Sequence, residues 1–161
     1  PFFTSLTHLH VSSDSKKLSE GVFYSSTLSN VRHLKIEGKN AARPFVFFNN
    51  VQEKFLSRMT ATLSGLQSLE MIDSENQFSC FNVFKEAPQM PYLRHLVFRG
   101  SADSRVLELS RYYNLQHLEL SGCGRDDTHM AMLIDAPNLK KLKTLNVRKN
   151  TISGLGIEYL K

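Results

Sequence analysis

No stretch of this chain approaches the run of about 18 apolar residues that a bilayer-spanning helix needs, so no membrane segment is predicted. The opening residues, "PFFTSLTHLH", lack an initiator Met, a basic start and an apolar signal core. They predict no targeting segment, and the sequence reads as a piece of a larger protein. Only two cysteines are present, Cys80 and Cys123, with no second pair to make a zinc spacing, so neither a disulfide framework nor a zinc module is expected. No Asn-x-Ser/Thr acceptor occurs. Both scarcities point to a reducing, cytoplasmic setting. Equally missing are a phosphate-cradling glycine loop, a G-x-S-x-G elbow and an H-E-x-x-H pair, so the chain is not expected to be an enzyme.

What is present is ordinary in bulk and periodic in detail. The 161 residues are 41% hydrophobic and 22% charged, as in a soluble globular domain. Lys and Arg number 20 against 15 Asp and Glu, a net charge of +5, which mildly favours acidic partners. The pattern L-x-x-L-x-L then recurs six times: "LTHLHV" from Leu6, "VRHLKI" from Val31, "LQSLEM" from Leu66, "LRHLVF" from Leu93, "LQHLEL" from Leu115 and "LKTLNV" from Leu142. Successive starts lie 25, 35, 27, 22 and 27 residues apart. Each hexamer alternates apolar and polar side chains, which predicts an extended strand with Leu118 and Leu120, for example, inward and His117, Glu119 and Ser121 outward. Such short strands bury nothing alone and are stabilised by stacking on their neighbours.

On these residues the chain resembles the leucine-rich-repeat family over nearly its whole length. Two units extend the match to the ninth position, where that family places Asn or Cys: "LQHLELSGC" ends at Cys123 and "LKTLNVRKN" at Asn150. The other units carry Asp14, Lys39, Ser74 and Ser101 there. "LSGCGRDDTHMAMLIDAPNL" is similar to the cysteine-containing repeats of F-box-type proteins, and "NTISGLGIEYL" to ribonuclease-inhibitor-like repeats, which NOD-like receptors also use. The resemblance implies an α/β leucine-rich-repeat solenoid, or horseshoe, spanning residues 1–161 in about six repeats. A parallel sheet would line its concave face, with short helices and loops on the convex face. Further repeats or other domains are expected to flank it. The implied function is non-catalytic protein recognition, as the ligand-sensing or autoinhibitory region of a NOD-like-receptor-type innate immune sensor or the substrate-recognition repeats of an F-box-type ubiquitin ligase adaptor.

The return segments are expected to be partly helical. "NNVQEKFLSRMTATLSGL" spaces Val51, Phe55, Met59 and Leu63 at helical intervals before Gly65. In "DDTHMAMLIDAP", Asp127 or Thr128 is placed to cap a short helix that Pro137 stops, with Met130, Met132 and Leu133 as its core residues. "ISGLGIEYLK" opens another. In "AARPFVFFNN" the run Phe45 to Phe48 exceeds what one face can bury, leaving core packing and an exposed docking patch both open.

The outward positions form columns across the predicted sheet. The first holds His8, His33, Ser68, His95, His117 and Thr144; the second His10, Lys35, Glu70, Val97, Glu119 and Asn146; the third Ser12, Glu37, Ile72, Arg99, Ser121 and Arg148. A zinc site of His8, His10 and His33 would need converging rings and supporting ligands, and only Glu37 stands near. Stacked imidazoles that charge together on acidification are a second reading. The expectation adopted is contact residues for a protein partner on the concave face, with charges of both signs around an apolar centre at Ile72 and Val97, and neither metal nor cofactor. Nucleic acid ranks behind a protein: "NLKKLKTLNVRKN" gathers Lys140, Lys141, Lys143, Arg148 and Lys149, but the register scatters them and interleaves no aromatics. "CGRDDTH" brings Cys123 near His129 in sequence, yet the ninth position makes Cys123 a buried structural residue.

Overall fold

A computed structural model describes residues 5–13, 29–38, 64–73, 90–100 and 112–160 of the chain. The proposed helix over residues 49–63, the Phe45 to Phe48 run, Cys80 and the ninth-position residues Asp14, Lys39, Ser74 and Ser101 lie outside these described residues.

Six strands form one open sheet in chain order: β1 (His8–Ser13), β2 (His33–Gly38), β3 (Ser68–Asp73), β4 (His95–Arg99), β5 (His117–Ser121) and β6 (Thr144–Asn146). Every neighbouring pair is parallel and in the register the hexamers predict, with His8 opposite His33, Ser68 opposite His95, and His117 opposite Thr144. Each strand begins at the third residue of its hexamer. Two short α-helices, α1 (Asp127–Ile134) and α2 (Gly154–Glu158), and a 3₁₀ turn (Pro137–Lys141) complete the described structure and give it α/β character. Among the described residues, no helix is long and apolar enough to cross a membrane.

One backbone device repeats at all five junctions. The carbonyl of Thr7 accepts the N–H groups of Arg32 and His33; Arg32 does the same for Gln67 and Ser68, Gln67 for Arg94 and His95, Arg94 for Gln116 and His117, and Gln116 for Lys143 and Thr144, all at 2.7 to 3.1 Å. Both lone pairs of each carbonyl are used, so the start of each strand is pinned before the sheet ladder takes over. A tight turn precedes the last three strands: Met90 accepts from Leu93, Tyr112 from Leu115, and Leu139 from Leu142. Met90 and Tyr112 are themselves buried, an apolar position three residues ahead of the hexamer that the six-residue pattern leaves out.

The core is the inward half of the alternation. Leu66, Leu93, Leu115 and Val31 are fully enclosed, with Leu34, Leu69, Leu96 and Leu118 beside them and Met71, Phe98 and Leu120 a step further along. Leu118 and Leu120 lie in a strand and face this core, as their spacing predicts. At about 25 cal/mol per Å² of apolar surface, each buried leucine contributes roughly 2 kcal/mol. At the flanking strands the equivalent residues, Leu6 and Leu9 on one side and Leu142 and Leu145 on the other, are only partly buried.

The helices correct two expectations. The N-cap of α1 is Asp126, not Asp127 or Thr128: its backbone is extended (φ −126°, ψ −173°) and its carboxylate accepts the His129 N–H at 3.2 Å. Met132 is half exposed rather than core, because Met130 and Leu133, three residues apart, already occupy the inward stripe of so short a helix.

Candidate functional site

Opposite the core, the sheet presents its second set of side chains to solvent. The first column is dominated by imidazoles. His8 and His33 stack face to face, with ring centroids 4.1 Å apart and planes 9° from parallel, and His95 and His117 approach at 5.7 Å with a 40° tilt. His8 Nδ1 shares a hydrogen bond of 2.9 Å with the Thr7 hydroxyl, and His117 Nδ1 one of 2.7 Å with that of Thr144. Burial holds the His33 imidazole below its usual pKa, with repulsion from His8 and His95 in the same direction. Stacked parallel rings direct their lone pairs alongside one another, not toward one point. Among the described residues, no group of three His, Cys, Asp or Glu side chains is arranged to hold a metal ion.

The second and third columns carry diagonal ion pairs. Arg99 donates to Glu119 from Nε at 2.6 Å and from a terminal nitrogen at 3.2 Å, a bidentate fork between β4 and β5. That fork lowers the Glu119 pKa and raises that of Arg99. Glu37 meets His10 Nε2 of β1 at 3.2 Å and, within β2 itself, Lys35 Nζ at 3.5 Å. Desolvation would raise the Glu37 pKa, but these two partners outweigh it and leave it lowered. Glu70 lies between the two clusters, paired in register with Lys35 and Val97, and Arg148 is exposed past the end of β6.

The apolar centre differs from its expected form. Ile72 is half-buried and available, whereas Val97 is only 3% exposed although it belongs to the outward set. The outward side chains on either side of it in register are Glu70 and Glu119. Alternation assigns a residue to a face but does not report how far longer neighbours reach across it.

Asn150 turns inward: its Oδ1 accepts the N–H groups of Cys123 at 2.9 Å and Arg125 at 3.0 Å, while its Nδ2 donates to the carbonyls of Leu120, Val147 and Arg148. Cys123 is fully buried, its thiol directed at the carbonyls of Phe98 and Ser121. His129 pairs with Asp126. The imidazole Nδ1 sits 2.6 Å from the Asp126 carboxylate and 3.4 Å from the Asp126 N–H. One ring nitrogen carries either a hydrogen or a lone pair, so only one of these bonds forms in a given tautomer. The hydrogen bond from His129 lowers the Asp126 pKa.

Two features escaped the pattern. Arg125 is fully buried, and its carbonyl accepts both the N–H and the hydroxyl of Thr151. A shallow groove of about 730 Å³ runs beside β6, lined by Leu133, Leu139, Leu142, Leu145 and Leu160 with Lys140 and Lys143. The basic run is divided: Lys140, Lys141 and Lys143 precede β6, and Arg148 and Lys149 follow it.

Comparison of the chain with protein-family models, with curated proteins and with solved structures found no match.

Proposed function

We propose that the chain is a leucine-rich-repeat solenoid that acts as a non-catalytic recognition module, taking a protein partner on the outward face of its sheet. The observation that carries this reading is the fivefold recurrence of one junction, a carbonyl accepting two successive N–H groups of the next strand. A stack built by repetition has a face whose side chains are set by strand geometry and are free to serve contact. That face combines half-buried Ile72 with charges of both signs and paired imidazoles, the composition of a polar-rimmed protein interface. Asn150 and Cys123 at the ninth positions of their units support the same family reading. For the parent protein, the proposal follows the resemblance: an intracellular sensor of the NOD-like-receptor type, with an F-box-type adaptor as the alternative.

The test is a pull-down with the full chain and with a variant carrying Glu70→Arg and Ile72→Asp, after circular dichroism has shown equal melting. A protein retained by the native chain and lost from this variant supports the reading. Retention that survives it but disappears with Met132→Asp and Leu155→Asp on the helices overturns the sheet face as the contact surface.

A further inference from the structure

The charges on this face are sorted along the strands. From two residues ahead of each hexamer to its third residue, residues 29–33, 64–68, 91–95, 113–117 and 140–144 contain no Asp or Glu, nor do residues 5–8. The carboxylates of the face, Glu37, Glu70 and Glu119, all lie further along their strands. The entering edge instead carries Arg32, Arg94, Lys140, Lys141 and Lys143, followed directly by the imidazole column. Among the described residues, no carboxylate forms an ion pair with these five cations. Asp135 lines the same groove as Lys140 and Lys143.

The edge is continuous. Lys141 Nζ donates to Asn114 Oδ1 at 2.6 Å, and Asn114 Nδ2 donates to the Pro91 carbonyl at 2.7 Å, joining three successive entry turns. Arg32 lies over Gly65 of the next unit, where an added Cβ would stand 2.6 Å from its guanidinium, and donates to the Ser29 and Val31 carbonyls. Two large aromatics are open to solvent on the same edge, Tyr92 at 61% and Tyr113 at 48% exposure. Tyrosine and arginine together are the side chains that most often dominate protein interfaces.

We propose that this entering edge, with Arg32, Arg94 and Lys143 as its cations and Tyr92 and Tyr113 as its apolar anchors, docks an extended acidic segment of the partner. This rests on the reading of the chain as a protein-recognition module and names the chemistry of what it recognises. A peptide fits better than a nucleic acid for a geometric reason. Glu70 and Glu119 lie two residues along the strands from the imidazole column, about 7 Å away and within a Debye length. A phosphate chain carries charge at every unit and is repelled chiefly by Glu70, which has no ion pair among the described residues, whereas the charge of Glu119 is offset by Arg99. An extended peptide alternates its side chains and can turn acids to the cations and neutral groups to the glutamates.

The test is fluorescence anisotropy on the full chain with a labelled peptide of alternating glutamate and serine. A matching glutamine–serine peptide and an oligouridylate are run in parallel. The expected result is saturable binding of the glutamate peptide that weakens at least about tenfold between about 50 mM and about 500 mM salt. The glutamine peptide is expected not to bind. Arg94→Glu with Lys143→Glu should abolish glutamate-peptide binding without changing the melting curve, and Arg94→Lys should retain it. No binding of the glutamate peptide, equal binding by the double variant, or tighter edge-dependent binding of oligouridylate each overturns the proposal. If the peptide fails while the Glu70→Arg, Ile72→Asp variant still loses a protein partner, only the acidic strip is wrong. If the partner also survives that variant, the recognition face itself is wrong.

Discussion

The imidazole of His33 lies flat against that of His8, 4.1 Å away. Two neutral rings tolerate this contact and two protonated rings repel. The His33 pKa is lowered first by desolvation, then by His8 and His95, so the folded state binds its proton less readily than the unfolded chain. A depressed pKa contributes stability that is complete above the unfolded value of 6.5 and is lost as pH falls through the folded value. The melting temperature should therefore drop on acidification below about pH 6.5, by the equivalent of under about 1 kcal/mol for a ring that water still reaches. His33→Gln should flatten this part of the pH–Tm profile, and an unchanged slope would rule the stack out as its source.

The Arg99–Glu119 fork makes a second pH-dependent contribution, at lower pH. Glu119 is held below the ordinary carboxylate range by the hydrogen bond from Arg99, so its contribution is present at neutral pH and lost as pH falls through the folded value. Arg99→Ala should return the Glu119 pKa toward normal in an NMR titration. With Arg99 half exposed, the accompanying loss of stability should be under about 1 kcal/mol.

Asn150 holds the loops after β5 and β6 together through one side chain. Asn150→Ala leaves the amides of Cys123 and Arg125 and the Leu120 carbonyl without that partner, which should cost about 3 kcal/mol. Urea denaturation would register this as a lower midpoint at unchanged slope.

Two glycines of α2 should respond in opposite directions. A Cβ on Gly156 would stand 2.3 Å from the Asp127 carboxylate and 2.7 Å from Ile152, whereas Gly154 has nothing within 4 Å. The clash at Gly156 opposes the ordinary helical gain from Gly to Ala, so Gly156→Ala should destabilise by about 1–2 kcal/mol, while Gly154→Ala should stabilise by up to about 1 kcal/mol. Differential scanning calorimetry of the pair separates the effects.

The strands were legible because a period of two and a hexamer repeated at similar intervals report directly which side chains turn inward. Leu34, Leu69, Leu96 and Leu118 could be placed this way, and so could the register that puts His8 against His33. Asn150 was legible too, since an amide that both donates and accepts suits a loop with exposed peptide groups on two sides. The cap was not, because Asp126, Asp127 and Thr128 are all capable and the choice depends on which residue stays extended. Asp127 instead ties α1 to α2 by accepting the Ser153 N–H at 2.8 Å and its hydroxyl, a contact between residues far apart in sequence. Burial of Val97 and Arg125 is set by their surroundings in the fold, which no local period encodes. The acid-free edge could be found in the sequence, but only after the six hexamers are aligned on their strand starts.

The doubly accepting carbonyl at each junction has an evolutionary reading. Because the join between neighbouring units is made by main-chain groups, any residue that keeps its N–H, which excludes only proline at the two donating positions, is compatible with it, and the repeat spacing ranges from 22 to 35 residues per unit without disturbing the join. Sequence change can thus lengthen one excursion or exchange one outward side chain at a time, remaking the outward surface while the scaffold stays put.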